Sequence, residues 1–198
     1  MKTAGNIFVI SAPSGAGKSS LVKALCELDE KIKVSISHTT RLPRPTETNG
    51  VEYFFINSTE FKTILANDGF LEHALVYDNY YGTSIQMVRD TLQTGHDIIL
   101  EIDWQGALQI KEMFPSAKLI YILPPSAQIL ANRLNNRKTD DTEIIKKRLA
   151  LAKNDISHAH NFDFAVINDD FNTALHDIYS IIRSLRLQAD KILKNYTF

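Results

Sequence analysis

The sequence predicts an α/β fold, a parallel sheet with helices on both of its faces. Short runs of consecutive apolar residues, as found in strands that are buried on both sides, recur along the chain. Between these runs lie stretches whose apolar residues return every three or four positions, as on one face of a helix. Strands that alternate with helices in this way are typical of a parallel sheet covered on both sides.

A chain of 198 residues, of which 44% are hydrophobic, suffices for one compact domain with small insertions. The formal net charge is −1 and no block of like charges occurs, so we expect no nucleic-acid partner. The single cysteine, Cys26, excludes an internal disulfide and suits a reducing compartment. Since we find neither a signal peptide nor a membrane-spanning run, we expect a cytoplasmic protein without a membrane partner.

The first apolar run, 7–10, leads into a glycine-containing loop and then into a helix with Leu21, Leu25 and Leu28 on one face. The loop and the first residues after it are Ser11-Ala12-Pro13-Ser14-Gly15-Ala16-Gly17-Lys18-Ser19-Ser20. Glycines allow successive backbone N–H groups to face one anion, and a helix N-terminus adds partial positive charge. Strand, glycine loop and helix together predict a phosphate-binding loop.

Two side chains give this loop its predicted chemistry. Lys18 is expected to reach the β- and γ-phosphates of a nucleotide, and the Ser19 hydroxyl to bind Mg²⁺. Ala12 stands where the general pattern has a glycine, which is feasible if Ala12 keeps a negative φ. The alternative is an ordinary glycine turn without a ligand. The coincidence of Gly, Lys and Ser with the expected flanks favours the phosphate site.

The segment 35–88 departs from the alternation of strands and helices and predicts a small mixed insertion of hairpins and a helix. Its predicted elements are a short strand over 34–38, a hairpin turn at Asn49-Gly50, a strand over 52–56, a helix through Leu65 capped by Ser58 or Thr59, and a strand from Phe70 to Tyr77.

Regular order resumes after this insertion. The predicted elements are a helix over 87–94 closed by Gly95, strands over 98–103 and 119–123, a helix over 107–113, helices capped by Ser126 and spanning 142–156, a strand over 164–167, and a final helix. The final helix carries an apolar stripe from Leu175 to Ile192, which indicates core packing. A coiled-coil or dimer face is the alternative for this stripe.

Two acidic residues, Glu101 and Asp103, end a predicted buried strand. Residues two apart on a strand point to the same side, and parallel sheets bind ligands at the carboxyl ends of their strands. These acids are therefore expected to face the phosphate loop and to hold Mg²⁺ directly or through water. Solvated acids at a strand-to-loop transition are the alternative.

Arginines form a second charged group. Arg41 and Arg44 flank a proline, and Arg133 and Arg137 lie four apart on one predicted helix, with Arg148 on the next. Guanidinium groups bind phosphate with two parallel hydrogen bonds and stay charged. Five of them around a phosphate loop indicate two phosphate-bearing ligands, although any single one is as easily an ordinary surface residue.

Glu72 stands in an otherwise apolar stretch, so its carboxylate needs a donor partner if it is buried. A guanine edge, with N–H groups on N1 and N2, is one candidate, with hydroxyls of Ser37 or Thr83 near O6. Adenine would place its N1 acceptor against the carboxylate, which is repulsive. Spacing alone favours the alternative, an edge-strand glutamate in water.

Over nearly its whole length the sequence resembles the guanylate kinases, the nucleoside-monophosphate kinases that phosphorylate GMP. The phosphate loop belongs to many nucleotide-binding proteins, whereas the other matching stretches are more specific. They are Ser37-His38-Thr39-Thr40-Arg41-Leu42-Pro43-Arg44, Asn49-Gly50-Val51-Glu52-Tyr53, Tyr80-Tyr81-Gly82-Thr83, Glu101-Ile102-Asp103-Trp104-Gln105-Gly106 and Asn168-Asp169-Asp170.

The resemblance implies one domain over 1–198 with the P-loop nucleoside-monophosphate kinase fold. It implies a core over 1–37, 90–125 and 159–198, a GMP-binding subdomain over 38–89 and a lid over 126–158. The implied activity is reversible, Mg²⁺-dependent transfer of the γ-phosphate of ATP to GMP, giving ADP and GDP for purine nucleotide metabolism. The substrates would be ATP and GMP, with dGMP as a further acceptor.

The resemblance also implies roles for individual residues. ATP would be bound by Ala12, Pro13, Ser14, Gly15, Ala16, Gly17, Lys18, Ser19, Ser20, Arg133 and Arg137, with Asn168 near the adenine. GMP would be bound by Ser37, Arg41, Arg44, Tyr53, Glu72, Tyr81, Thr83, Glu101 and Asp103. Lys18, Arg41, Arg137 and Arg148 would be catalytic. Mg²⁺ would be held by Ser19 and Asp103, directly or through water, with Glu101 an alternative to Asp103.

Two other functions are compatible with the same resemblance. One is a non-catalytic, guanylate-kinase-like module for protein interaction, although such modules usually have degraded ATP loops, and Lys18, Ser19 and Arg148 are present here. The other is a kinase for a different monophosphate, which Glu72 and Thr83 argue against. A monomer and a homo-oligomer are both compatible with the sequence.

Overall fold

The computed structural model describes residues 5–76, 78–136, 142–193 and 196–197, with all of their side chains except those of 136 and 142–148. The strands are, in chain order, β1 (Ile7–Ser11), β2 (Ile32–Ser35), β3 (His38–Thr39), β4 (Phe54–Phe55), β5 (Phe70–Val76), β6 (Asn79–Ser84), β7 (Asp97–Glu101), β8 (Lys118–Leu123) and β9 (Phe164–Ile167). The helices are α1 (Lys18–Leu28), α2 (Ser58–Ala66), α3 (Ile85–Gln93), α4 (Trp104–Met113), α5 (Ala127–Asn136), α6 (Thr142–Ser157), α7 (Phe171–Arg186) and α8 (Ala189–Leu193).

The core is a parallel sheet in the order β2-β7-β1-β8-β9. β1 lies in the middle, with Val9 opposite Leu100 of β7 and Leu119 of β8. The side chains of β1 are buried on both faces of the sheet. Phe8 and Ile10 pack against α1 and α7, while Val9 packs against α3 and α4. The predicted parallel sheet with helices on both faces is therefore confirmed.

A second, mixed sheet in the order β4-β3-β6-β5 lies between β2 and α3 in the sequence. β5 and β6 pair as an antiparallel hairpin. α2 packs on this sheet through Phe61, whose ring stacks on Phe70 and Tyr80 with centroid distances of 4.5 and 5.2 Å. Of the predicted insertion of hairpins and a helix, the helix and the β5–β6 hairpin are confirmed. Tyr77, the predicted end of β5, lies outside the described residues.

The predicted hairpin at Asn49-Gly50 is wrong. Gly50 does form a turn, with a φ of 81°. However, β4 runs parallel to β3 and contains only Phe54–Phe55 of the strand predicted over 52–56. The reason is the long connection between β3 and β4. A connection of a dozen or more residues returns the chain to the start of the preceding strand, as a parallel pair requires.

The single strand predicted over 34–38 is divided between the two sheets. Ile32–Ser35 joins the core sheet and His38–Thr39 joins the mixed sheet. The alternation of apolar and polar residues is real, but its polar side faces inward. Ser35 and Ser37 are buried, whereas Val34 is exposed. The chain turns the polar side inward here because Ser37 lies against Thr83 of β6.

Helix boundaries follow side-chain caps. Ser126 caps α5 as predicted, because its hydroxyl accepts the N–H of Ile129 at 3.2 Å. The cap of α2 is Asn57, and the prediction of Ser58 or Thr59 is wrong. The Asn57 carboxamide accepts two backbone N–H groups, and Glu60 accepts the N–H of Asn57 in return. This reciprocal arrangement satisfies more orphan donors than a lone hydroxyl does.

The predicted final helix is two helices, because α7 ends at Arg186 and α8 begins at Ala189. Core packing is confirmed for the α7 part of the stripe, where Ile178 and Ile182 are buried. It does not extend to Ile192 in α8, which is exposed. Leu28, predicted on the buried face of α1, is exposed as well.

Candidate active site

The loop between β1 and α1 has the conformation that a phosphate-binding loop needs. Gly15 and Gly17 have φ values of 94° and 93°, a left-handed region that disfavours any residue with a Cβ. Ala12 is not among the described residues with positive φ, so its substitution for glycine leaves the loop unstrained. Packing also excludes a larger residue at position 17, since a Cβ on Gly17 would collide with Asn168 Nδ2.

The N-terminus of α1 is open toward the loop. Gly17 is its N-cap and offers no side-chain oxygen, so the first N–H groups of the helix are free to face an anion. Lys18 Nζ donates to the carbonyl of Ile102 at 3.4 Å, which directs the ammonium toward the end of β7. The Ser19 hydroxyl donates to Glu101 Oε1. The loop thus presents N–H groups, one cation and one hydroxyl at a single place.

A cavity of about 490 Å³ connects this loop to the mixed sheet. Most of the site residues predicted from the sequence line this cavity, namely Ala12, Pro13, Ser14, Gly15, Gly17, Lys18, Ser19, Ser20, Ser37, Arg41, Arg44, Tyr53, Glu72, Tyr81, Glu101 and Asp103. Residues for which the sequence predicted no role also line it, namely Ala74, Val76, Asn79, Ile102 and Asp155. The two groups of residues predicted to bind two different phosphate-bearing ligands therefore share one cavity.

Some predicted residues lie behind the cavity wall instead. Ala16 and Thr83 are completely buried. Asn168 is also buried, and its carboxamide donates to the carbonyl of Ala16 at 2.7 Å. Arg133 Nη2 donates to the carbonyl of Asn168 at 3.0 Å. Asn168 and Arg133 thus hold the glycine loop from behind. Arg137 lies outside the described residues, as does the side chain of Arg148.

Arg41 and Arg44 converge on one acid, Glu47, which the sequence did not single out. Arg41 Nη2 lies 2.9 Å and Arg44 Nη1 3.4 Å from Glu47 Oε1. Partial burial of Glu47 opposes ionisation, but the hydrogen bonds from both arginines lower its pKa below the ordinary value. The Arg41 guanidinium lies over the Tyr53 ring, 5.4 Å from its centroid. Glu47 therefore holds two cations at one end of the cavity.

Tyr53 and Tyr81 complete this end of the cavity, with ring centroids 5.9 Å apart. Burial raises the pKa of Tyr53 above its ordinary value, so its phenol remains a neutral hydrogen-bond donor. Two guanidinium groups and two phenol groups thus lie together, and all four are hydrogen-bond donors of the kind that can bind a phosphate.

Glu72 is only 3% exposed, so the expectation of a glutamate in water is wrong. β5 is the edge strand that was expected, but Glu72 points inward beneath α4. Thr83 Oγ1 donates to Glu72 Oε1 at 2.5 Å, and Ser37 Oγ lies 3.5 Å from Thr83 Oγ1. Burial raises the pKa of Glu72 to about 7. A buried carboxylate facing a cavity is a site for a ligand that donates hydrogen bonds.

The expectation that Glu101 and Asp103 both belong to one strand and point to the same side of it is wrong, because β7 ends at Glu101. Asp103 is the N-cap of α4 and accepts the N–H of Gly106 at 3.0 Å. Its other oxygen accepts from Gln105 Nε2, also at 3.0 Å. Both acids still line the cavity. Glu101, and not Asp103, is the acid that contacts Ser19.

Asp155 of α6 is the clearest residue that sequence reasoning missed. It lines the cavity beside Lys18. Burial and then the charge of Asp103 raise its pKa, while a hydrogen bond from the Trp104 indole opposes the shift. The Trp104 ring stacks on His158, with centroids 3.5 Å apart. No motif marks Asp155, since an isolated acid on an exposed-looking helix is ordinarily solvated.

The donor set suits a magnesium ion that is bound mainly by phosphates. Within the described ranges, no three His, Cys, Asp or Glu residues are grouped to hold a metal by themselves. Ser19 and Glu101 do bring a hydroxyl and a carboxylate together at the loop. Mg²⁺ prefers oxygen ligands and commonly takes one or two from the protein.

In the part of the chain that is described, no helix is long and apolar enough to span a membrane.

Comparison with known proteins gives one consistent family. A family model described as guanylate kinase matches residues 4–185. A curated relative named guanylate kinase, from Pseudoalteromonas translucida (strain TAC 125), is 52% identical over 186 residues, covering 94% of this chain and 90% of the relative. The crystal structure of guanylate kinase from Anaplasma phagocytophilum superposes with a TM-score of 0.80 at 31% identity, covering 95% of this chain and 89% of that one.

A more distant structure shares the fold alone. The SH3-kinase fragment of tight junction protein 3 superposes with a TM-score of 0.51 at 11% identity. The match covers 93% of this chain and 58% of that fragment.

Proposed function

Because this chain belongs to the guanylate kinase family, and so transfers a phosphoryl group from ATP to GMP, we propose that the transfer occurs in the cavity between the glycine loop and the mixed sheet. The observation that carries this proposal is the shared cavity itself. The loop with Lys18 and Ser19 lines one end, and Arg41, Tyr53 and Glu72 line the other.

The glycine loop is proposed to hold the phosphates of ATP. Its positive-φ glycines and the open N-terminus of α1 offer backbone N–H groups. Lys18 adds a full positive charge, with its Nζ at the carbonyl of Ile102 just after β7. Asn168 and Arg133 keep the loop in place from behind. Mg²⁺, when bound with ATP, would add positive charge at the β- and γ-phosphates. Ser19 and Glu101 are the proposed protein ligands, with Asp103 within reach of the same cavity.

Arg41, Arg44, Tyr53 and Tyr81 are proposed to bind the phosphate of GMP. Glu47 holds the two arginines in place before the substrate arrives, which lowers the cost of ordering their long side chains. Ser37, Glu72 and Thr83 are proposed to bind the guanine edge. The carboxylate of Glu72 would accept the N1 and N2 hydrogens, and adenine would present an acceptor there instead.

The acceptor of the transfer is a phosphate oxygen that is already ionised, so the reaction needs no general base. Its obstacle is to bring two anions to near-attack contact, at about 3–3.5 Å. Lys18 and Arg41 stabilise the negative charge from opposite ends of the cavity, and this preorganised charge is the proposed source of catalysis. Arg137 and Arg148 are proposed to add to it from the lid. A lid that closes over both substrates would also keep water from the γ-phosphate.

The proposal extends to the organisation and setting of the protein. The mixed sheet lies in the proposed GMP-binding subdomain, 38–89, and α5 and α6 lie in the proposed lid, 126–158. The contacts proposed for GMP are made to its phosphate and its guanine edge, and dGMP has both, so we propose dGMP as a further acceptor. We also propose a cytoplasmic location, which suits the lone, partly buried Cys26.

The test is ADP formation from MgATP with GMP, AMP, CMP or UMP as the acceptor, with a control without acceptor. We expect ADP only with GMP. Equal turnover with another monophosphate would contradict the role of Glu72. Binding of GMP without turnover would instead favour a non-catalytic interaction module.

A further inference from the structure

α4 packs along the outer edge of β5, the strand that carries Glu72. Gly106 and Gln109 lie three residues apart on α4, and so on the same face of the helix. β5 is an edge strand of the mixed sheet, with β6 on its inner side. The other side of β5 is therefore open to contacts from α4, and both Gly106 and Gln109 contact β5 there.

Gln109 contacts the backbone of β5. Its Oε1 accepts the N–H of His73 at 3.3 Å, and its Nε2 donates to the carbonyl of His73 at 2.9 Å. In an antiparallel edge strand, every second residue turns both of these groups away from its partner strand. The Gln109 carboxamide therefore replaces a neighbouring strand at His73. This pair of hydrogen bonds fixes the backbone immediately next to Glu72.

Gly106 contacts the carboxylate of Glu72. A Cβ placed on Gly106 would lie 3.0 Å from Glu72 Cδ and closer still to Oε2. The backbone of Gly106 does not require glycine, because it is not among the described glycines with positive φ. Glycine also weakens a helix relative to alanine. The absence of a side chain at Gly106 therefore leaves room for the carboxylate of Glu72.

The two oxygens of Glu72 are thus positioned from two elements. Thr83 of β6 donates to Oε1 at 2.5 Å, and Gly106 of α4 bounds the space around Oε2. α4 is held at this point by its own cap, since Asp103 accepts the N–H of Gly106 at 3.0 Å. A shift of α4 relative to β5 would move the carboxylate in the cavity.

We propose that Gly106 and Gln109 are positioning residues for guanine recognition, because together they place the Glu72 carboxylate against the N1 and N2 hydrogens of the base. This inference rests on the proposed role of Glu72 as the group that binds guanine. Neither residue is among those that line the cavity, so each would act through Glu72. Gly106 provides space for the carboxylate, and Gln109 fixes the strand that carries it.

The test compares GMP with inosine 5′-monophosphate, which lacks the 2-amino group and so loses one hydrogen bond to Glu72. The variants are Gly106→Ala and Gln109→Ala. Gln86→Ala is the control, because Gln86 is exposed on α3 and donates to Asp90 on the same helix. kcat and KM are measured for each acceptor at saturating MgATP, together with the KM for MgATP and the melting temperature.

For Gly106→Ala we expect kcat/KM with GMP to fall about 10- to 100-fold, as for a lost hydrogen bond to a charged group. The change should lie mainly in the KM for GMP. The value for inosine monophosphate should fall less, so that the preference for GMP shrinks, and the KM for MgATP should not change. Gln109→Ala should produce a smaller shift in the same direction, and Gln86→Ala none. An unchanged preference for GMP over inosine monophosphate in Gly106→Ala would overturn the inference, whether kcat/KM stays at the wild-type value or falls equally with both acceptors.

Glu72→Ala, alone and combined with Gly106→Ala, separates the two proposals. If Glu72→Ala leaves the preference for GMP intact, the proposed role of Glu72 is wrong and the inference fails with it. If Glu72→Ala abolishes the preference while Gly106→Ala does not alter it, the inference alone fails. If Gly106 acts through Glu72, adding Gly106→Ala to Glu72→Ala should cause no further loss in kcat/KM for GMP. A further loss of the full single-variant size would also overturn the inference.

Discussion

Replacing Glu72 with glutamine should stabilise the protein above neutral pH while it damages recognition of GMP. The carboxylate of Glu72 is 3% exposed, and in the absence of a ligand it is poorly compensated for the loss of water. Glutamine keeps the shape and the oxygen that accepts the Thr83 hydroxyl. It removes the charge, and it presents an amide donor to the guanine N–H groups that need an acceptor.

The magnitude follows from the pKa of Glu72, which burial raises from 4.5 to about 7. Because the folded protein holds this proton more tightly than the unfolded chain, the protonated carboxyl contributes stability that is fully present below pH 4.5 and is lost as the pH rises through 7. At 1.36 kcal/mol per pKa unit the total loss is about 3 kcal/mol. About 2.5 kcal/mol of it is lost between pH 5 and pH 8.

The assay is urea unfolding of the wild type and Glu72→Gln without nucleotide, at pH 5 and at pH 8. The free energy of unfolding of the variant should exceed that of the wild type by about 2.5 kcal/mol more at pH 8 than at pH 5. Comparing the difference in free energy of unfolding between variant and wild type at the two pH values cancels any effect of the glutamine amide that does not depend on pH. In parallel, kcat/KM for GMP at pH 8 should fall about 10- to 100-fold. A stability difference that does not change with pH would refute the reasoning.

Three further predictions test other parts of the account. Lys18→Met should lower kcat about 10³-fold or more without changing the melting temperature, and near-normal turnover would contradict the role of the loop. Gly17→Ala should weaken ATP binding and cost about 1–2 kcal/mol in urea unfolding, because its φ of 93° disfavours a Cβ that would also meet Asn168; wild-type values for both would contradict this. Arg186→Ala should lower the free energy of unfolding by about 3–5 kcal/mol in the same assay, because it removes the guanidinium whose Nε lies 2.6 Å from Oδ2 of the buried Asp97. A loss below about 1 kcal/mol would contradict this and show that water replaces the guanidinium.

The core sheet and the glycine loop could be predicted because their signals are local. Four consecutive apolar residues fix β1 as a strand buried on both sides, and Gly15, Gly17 and Lys18 follow it within one continuous stretch. The condition on Ala12 could also be stated in advance, because φ is a property of one residue. These features depend little on what the rest of the chain does.

The features that were mispredicted depend on distant parts of the chain. Sequence spacing favours a solvated Glu72, because nothing near it in the sequence shows that α4, some thirty residues later, covers it. Glu47 and Asp155 carry no motif and gain meaning only from the cations or acids that the fold brings to them. Asp103 is different, since an Asp three residues before Gly106 at a helix start is a recognisable capping signal that the strand assignment overrode.

The central claim is that one cavity binds ATP at the glycine loop and GMP at the mixed sheet, close enough to react. The most direct test is calorimetric binding of a conjugate that joins adenosine and guanosine through five phosphates. The account predicts that it binds about 10²-fold or more tightly than either ATP or GMP, because one molecule occupies both ends. Lys18→Met and Glu72→Gln should each remove most of that gain. An affinity equal to that of ATP alone, and unaffected by Glu72→Gln, would contradict the claim.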